Sequence, residues 1–275
     1  MDNSQPLVSA IITTHNRAEL LPRALDSVLV QTYENMEIVV VDDGSTDRTQ
    51  EIIKEYQQQI PIKYLRLESS VGAPGARNKG IETAEGTFIA GLDDDDKWHE
   101  DRIKELVAAY SDEYSCVTSN VTMAYPNREK VWKKKKLIDL QTLLYTNQVG
   151  NQVLVRRERL LEVGGFDEEL TASQDYDLWV RLCAAFGSIR NVQKPLQTVY
   201  MDHESGRISD EAWQGYLQFY RKHKARFSRS QRKYKLFNIR RAQQKPISFT
   251  EFLACVPPFR YWKEIKLLLI RKFLK

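Results

Sequence analysis

The chain has 275 residues, 42% of them hydrophobic, with a formal net charge of +4, which suits one substantial α/β domain plus a smaller appendage and excludes a disordered chain. Cys116, Cys183 and Cys255 are widely spaced, which excludes a zinc ribbon and a disulfide framework; no secretory leader and no run of ~18 apolar residues is present, so a cytoplasmic chain with reduced thiols and no membrane span is expected. Charge is unevenly spread: residues 221–275 hold seventeen Lys or Arg against two Glu, so the first 220 residues are net acidic and carry a basic tail.

Residues 7–14 (LVSAIITT) form a short β-branched apolar run, which predicts a buried parallel strand. From Glu19 to about Val30 apolar residues recur at helical spacing, with Pro22 in the first turn, where its missing N–H costs little. A second buried strand is predicted over 37–42, then a helix over 46–58 capped by Ser45 or Thr46. A strand over 62–67, a helix over 74–84 and a strand over 87–92 follow. This alternation predicts an open, mostly parallel, Rossmann-like sheet flanked by helices. The second half is less regular: a helix over about 100–110, a strand over 115–121, a charged exposed loop over 128–139 and a strand over 151–156. A helix over Arg157–Val163 ends at Gly164-Gly165, and another runs from about Asp175 to Phe186. Beyond Tyr200 the pattern is helical and basic, which places a domain boundary near 205: residues 1–205 as the catalytic body, 206–275 as a basic helical extension.

In open α/β sheets ligands bind at the carboxyl ends of the strands, so polar residues directly after each apolar run are the candidates. The first strand ends in Thr13-Thr14-His15-Asn16-Arg17, groups able to meet a base or phosphate, or simply a capped loop. The second ends in Asp42-Asp43-Gly44-Ser45-Thr46-Asp47, where a carboxylate can accept the imide N–H of uracil or bind ribose hydroxyls; a turn cluster is the plain alternative. GxGxxG after the first strand and GxxxxGK[ST] are both absent, which lowers the dinucleotide and NTPase readings. The fourth strand runs into Asp93-Asp94-Asp95-Asp96; adjacent carboxylates repel, and a divalent cation with oxygen preference relieves that cost. Gly72–Gly80 is small, turning and basic, with Arg77 placed to orient a donor or to anchor the acids.

Taken together, VSAIITTHNRAELLPRALDSVLVQ, EIVVVDDGSTD, GAPGARNKGI, GTFIAGLDDDD, VGGFDEEL and SQDYDLWVRL resemble the inverting glycosyltransferases of family two, with the GT-A fold, as in bacterial surface-polysaccharide (O-antigen or capsule) transferases. The resemblance covers about residues 6–202 and rests on six motifs in order. It implies that Asp43, following Asp42, contacts the uracil of a UDP-sugar, with Thr13, Asn16 and Glu19 in the same region and Arg77 and Asp94 on the donor side. It implies Asp93 and Asp95 as the DxD acids on Mn²⁺ or Mg²⁺, with Asp96 extending the motif and His203 as a further donor-side ligand. Asp175 matches the catalytic base; Gln174 stands where the family has Glu, and Asp177 is the alternative base. Gly165, Phe166 and Asp167 match the acceptor-side loop, and Trp179 and Trp98 are aromatic candidates for sugar stacking or for core packing.

The implied reaction is a single displacement moving a hexose, with UDP-galactose or UDP-glucose favoured, to a saccharide hydroxyl and giving a β-linkage. An N-acetylhexosaminyl donor, a sugar-phosphate nucleotidyltransferase and an inactive nucleotide-sugar-binding protein are the alternatives. The basic tail, above all the mixed apolar and cationic run Tyr261–Lys275, suits an anionic membrane face and a polyprenyl-diphosphate-linked acceptor, or a helix packed on the body; nucleic acid is not expected.

Overall fold

The structure is a computed structural model and describes residues 5–201 and 212–265. Among them the chain divides into two compact units, one made of 5–143, 147–169 and 174–201, the other of 144–146, 170–173 and 212–265.

The first unit is built on a ten-stranded sheet with β1 (Val8–Thr14), β2 (Met36–Asp42), β3 (Ile62–Arg66) and β4 (Phe88–Asp93) as its parallel half. The helices α1 (Leu21–Leu29), α2 (Thr49–Gln57) and α3 (Gly72–Thr83) connect them. The remaining strands are β5 (Lys97–Trp98), β6 (Val117–Tyr125), β7 (Arg128–Trp132), β8 (Leu137–Ile138), β9 (Leu154–Arg156) and β10 (Ile189–Tyr200). The order β3-β2-β1-β4-β9-β6-β10-β5 is mixed: β9 runs antiparallel to β4 and β6, whereas β10 is parallel to β6. Helices α4 (Arg102–Ala108), α5 (Leu140–Tyr145), α6 (Arg157–Glu162) and α7 (Gln174–Phe186) complete the set. Alternation along β1 sends Ala10 and Ile12 into a core with Leu21, Leu25, Val40, Ile53, Leu92, Ile103 and Leu106.

Register places the candidate residues. Thr13 lies level with Asp93, and Thr14 with Asp42, so the ends of β1, β2 and β4 form one polar edge. At Gly44, φ is +73° and an added Cβ would sit 3.0 Å from the Ser69–Ser70 backbone, so only glycine lets that turn close.

Several expectations need correction. α2 starts at Thr49, and Asp47 rather than Ser45 or Thr46 accepts from its backbone N–H, at 3.0 Å. The charged stretch 128–139 is not a plain loop: β7 pairs antiparallel with β6, and β8 pairs with β10. Backbone pairing at a sheet edge tolerates charged side chains, which is why the run reads as loop. Lys134 within it is buried, its Nζ donating to Val149 O and, at 3.2 Å, to Thr118 Oγ1. Burial holds its amine well below the usual lysine range.

The second unit contains α8 (Ala212–His223), α9 (Arg229–Ala242) and α10 (Phe249–Cys255). A reciprocal capping box of Ser228 and Gln231 starts α9. Tyr234, Phe237, Phe252 and Val256 form its core. No helix among the described residues is long and apolar enough to cross a membrane.

Candidate active site

The two acids that end β2 face different ways. Asp42 is fully buried and accepts from Ser45 N at 2.8 Å and from the Tyr64 hydroxyl at 2.7 Å, so it holds the turn together. Asp43 accepts from Ser70 Oγ (2.7 Å), Val71 N (2.7 Å) and Gly72 N (2.9 Å), tying the α3 entry loop to the rim. Asn16, at φ +52°, links the loops after β1 and β2: its N–H donates to Ser45 Oγ at 2.9 Å, and its Oδ1 accepts from Thr46 N at 2.7 Å. Thr13 is half-buried on the same edge, and Glu19 is exposed in the turn that enters α1.

The tetra-aspartate run turns sharply as β4 ends, with Asp96 N–H donating to Asp93 O at 3.0 Å. That turn gathers one carboxylate oxygen each from Asp93, Asp95 and Asp96 within 4.8 Å of one another. Asp94 points elsewhere, towards Arg17 at 3.0 Å, and the same guanidinium reaches Asp95 at 2.8 Å. Asp93 accepts from Arg77 (2.8 Å) and Asn151 (2.6 Å), while Asp96 accepts from Asn151 (3.0 Å) and Gln152 (2.9 Å). Burial pushes the Asp94 carboxyl up to about 6; burial, then the Asp93 and Asp95 charges, raises Asp96 well above the carboxylate range. Three converging carboxylates are an oxygen donor set that fits Mg²⁺ or Mn²⁺. Three residues here were not singled out from sequence: Arg23, whose guanidinium donates to Asp95 O, Asn151 and Gln152. The only signal for the last two is an amide pair directly before the apolar run of β9.

Asp175 sits in the first turn of α7, where Arg77 bridges it to the acid cluster: one guanidinium nitrogen is 3.7 Å from Asp175 Oδ1, another 2.8 Å from Asp93 Oδ1. Burial raises the Asp175 carboxyl, Arg77 pulls it down and the Asp93 charge pushes it up, leaving it at about 6. Asp175 Oδ1 is buried and accepts no hydrogen bond. Its neighbour Asp177 is different: fully buried, it pairs with Arg181 at 2.7 Å, and Arg181 also donates to Val163 O (2.6 Å) and Gly165 O (2.7 Å). Asp177 is thus committed to shaping the Gly164-Gly165 turn.

Gly165, at φ +64°, packs so closely on Asn78 that an added Cβ would lie 2.5 Å from its Oδ1. Asn78 in turn accepts from Phe166 N at 2.7 Å and donates to Phe166 O at 2.9 Å. The Phe166 ring faces Arg77 at 5.4 Å and meets the Trp179 ring edge-on at 6.5 Å. Trp179 is buried, donates to Gly150 O at 2.9 Å, and lines a small cavity of about 40 Å³ with Phe166, Arg77 and Asp93. Trp98 is buried with its Nε1 on Gln152 at 2.8 Å, so it supports the acid-holding loop and presents no face to a sugar. Asp167 accepts from Glu169 N at 3.0 Å in its own turn, and Gln174 is the half-buried first residue of α7. His203 lies outside the described residues.

Residues 9–167 match the model of glycosyl transferase family 2. Over 266 residues the chain is 33% identical to the putative colanic acid biosynthesis glycosyl transferase WcaA of Escherichia coli K12, covering 91% of this chain and 93% of that one. It is 32% identical over 157 residues to the putative teichuronic acid biosynthesis glycosyltransferase TuaG of Bacillus subtilis, covering 56% of this chain and 61% of that one. In fold it is similar to S. aureus TarS 1–349 in complex with UDP-GlcNAc, with a TM-score of 0.67 at 20% identity over 92% of this chain and 77% of that one. It is similar also to the mannosyltransferase PcManGT of Pyrobaculum calidifontis in complex with GDP-Man and Mn²⁺, with a TM-score of 0.65 at 18% identity over 98% and 86%. A GT-A fold, the ordered motifs and a full-length relative agree: the chain belongs to glycosyl transferase family 2.

Proposed function

We propose that the chain is a metal-dependent inverting hexosyltransferase of bacterial polysaccharide assembly. Its donor is a UDP-sugar, with UDP-galactose or UDP-glucose first and an N-acetylhexosaminyl donor second; the TarS complex with UDP-GlcNAc favours keeping the second. The carrying observation is one rim that holds three converging carboxylates and, across Arg77, a half-buried carboxylate of raised pKa. In this reading Asp43, Thr13 and Asn16 receive the nucleotide, and Glu19 borders it. Asp93, Asp95 and Asp96 would hold the cation, with Asp94 and Arg17 setting the shape of the turn. When bound, Mn²⁺ or Mg²⁺ neutralises the diphosphate and makes UDP a better leaving group. Asp175 takes the proton from the acceptor hydroxyl as that oxygen attacks the anomeric carbon from the face opposite UDP. The α-linked donor then gives a β-linked product.

Gly165, Phe166, Asp167, Gln174 and Trp179 shape the acceptor side. Gln174 cannot act as an acid or base, so it serves the acceptor by hydrogen bonding alone. The names of WcaA and TuaG, which print colanic acid and teichuronic acid biosynthesis, support a saccharide acceptor. The basic charge of residues 206–275 is what favours an acceptor carried on a polyprenyl diphosphate at the inner face of the cytoplasmic membrane. Calorimetric titration with UDP tests the donor side. Binding should tighten with Mn²⁺, and Asp95→Asn should remove the metal effect; UDP affinity indifferent to Mn²⁺ in both proteins would refute the reading.

A further inference from the structure

The second unit exposes apolar side chains that the reaction at the sheet edge does not use. Trp262 is 87% exposed, Phe249 73% and Phe259 72%, while Leu253 and Ile265 are also exposed. Single exposed leucines are ordinary, but three aromatic rings this exposed within fourteen residues are not, even with Phe259 touching Tyr145 edge-on at 5.4 Å. Phe249 and Leu253 are one turn apart on α10 and share a face. Phe259, Trp262 and Ile265 step by three through the short 3-10 turn Pro258–Arg260 and the helical residues after it. The two runs are neighbours: the Tyr261 hydroxyl donates to Leu253 O at 3.3 Å, and its ring packs on Phe252 at 5.4 Å.

The charge around them has one sign. Residues 212–265 carry thirteen Lys or Arg and two acids, Glu251 and Glu264. Both acids are engaged within the unit. Glu251 lies 3.3 Å from Arg240, and Glu264 is buried among Tyr234 (2.5 Å), Arg241 and Arg260 (3.6 Å). Arg229, Arg232, Lys233 and Lys245 are exposed, and Arg229 and Lys233 line an open groove of about 610 Å³ with Leu253, Pro258 and Tyr261.

We propose that this face docks on an anionic lipid surface, with Phe249, Phe259 and Trp262 entering the headgroup boundary and Arg229 and Lys233 against lipid phosphates. Aromatic rings favour that boundary, and basic residues beside them gain from its negative potential. An anionic polymer would need the charge but not the aliphatic Leu253 and Ile265. The proposal deepens the membrane-side acceptor reading, and its test does not require glycosyl transfer.

The full chain is sedimented with vesicles of phosphatidylglycerol and phosphatidylcholine in equal parts, and with phosphatidylcholine alone. Binding is expected only to the mixed vesicles, and it should weaken with salt. The double variant Phe259→Ser/Trp262→Ser should lower the partition coefficient about tenfold or more, and Trp262→Phe should retain most of it. Arg229→Gln/Lys233→Gln should weaken binding while removing no apolar contact. These side chains are exposed, so circular dichroism of all variants should match the parent. Wild-type protein left in the supernatant, equal binding to both vesicles, or a double variant that sediments like the parent would each overturn the proposal. So would retention on a single-stranded oligonucleotide without vesicle binding, which would assign the face to nucleic acid. UDP release onto a soluble saccharide separates the two claims: turnover absent while vesicle binding persists counts against the transferase reading alone.

Discussion

Replacing Asp175 with Asn isolates the proton-transfer step. The side chain keeps its shape, and Arg77 keeps its 2.8 Å contact with Asp93, so the rim should stay assembled. What is lost is the carboxylate, 3.7 Å from the same guanidinium. A positioned general base is worth about 10²–10⁴-fold in rate. At 1.36 kcal/mol per tenfold, this corresponds to roughly 2.7–5.5 kcal/mol of barrier. Asp175→Asn should therefore lower kcat by at least about a hundredfold, while UDP affinity with Mn²⁺, measured by calorimetry, stays within about twofold because no nucleotide-side residue has changed. The pH profile adds a second reading. A base must be ionised to act, and burial holds Asp175 at about 6, so wild-type kcat should rise with pH and level off above that value. The variant's residual rate should lack that limb. A loss under about tenfold, or equal losses in kcat and UDP affinity, would refute the assignment of the base.

Three further outcomes follow from the same geometry. Mn²⁺ affinity should fall as pH is lowered, because burial, then the Asp93 and Asp95 charges, raises the Asp96 pKa and protons then compete with the ion; titration followed by Mn²⁺ electron paramagnetic resonance checks this, and pH-independent affinity would contradict it. Asp177→Asn removes one partner of a buried ion pair, a change that costs about 3–5 kcal/mol, so the thermal midpoint should drop by roughly 6–20 °C; an unchanged midpoint would free Asp177 from its structural role. Gly165→Ala forces a side chain into positive φ and against Asn78, so it should raise the acceptor KM while leaving UDP affinity intact, as steady-state kinetics and calorimetry would show.

The parallel half of the sheet was legible because its signals are local: β-branched runs, then acids at the strand ends. The same locality hid the difference between Asp42 and Asp43. Asp42 closes β2 and Asp43 follows it, and only the folded neighbours show that one faces Tyr64 inside and the other the Ser70–Gly72 loop. Asp175 and Asp177 pose the same problem two residues apart on α7, and Arg181 one turn later resolves it. The supports of the acid cluster were out of reach for another reason. Arg17 meets Asp94 and Asp95 from 77 and 78 residues away, and Asn151 meets Asp93 from 58 residues away, contacts that only the sheet order creates. β7 was hidden because an edge strand held by backbone bonds carries no apolar pattern.

The central claim, metal-assisted departure of UDP from a sugar donor at the Asp93–Asp96 turn, is tested most directly by UDP release. UDP-galactose, UDP-glucose, UDP-GlcNAc and UDP-GalNAc are offered in turn with a lipid-diphosphate saccharide, with Mn²⁺ or with EDTA. Release from one donor that depends on both acceptor and Mn²⁺, and that Asp95→Asn abolishes, is the predicted result. Equal release in EDTA, or release that survives Asp95→Asn, would contradict the account.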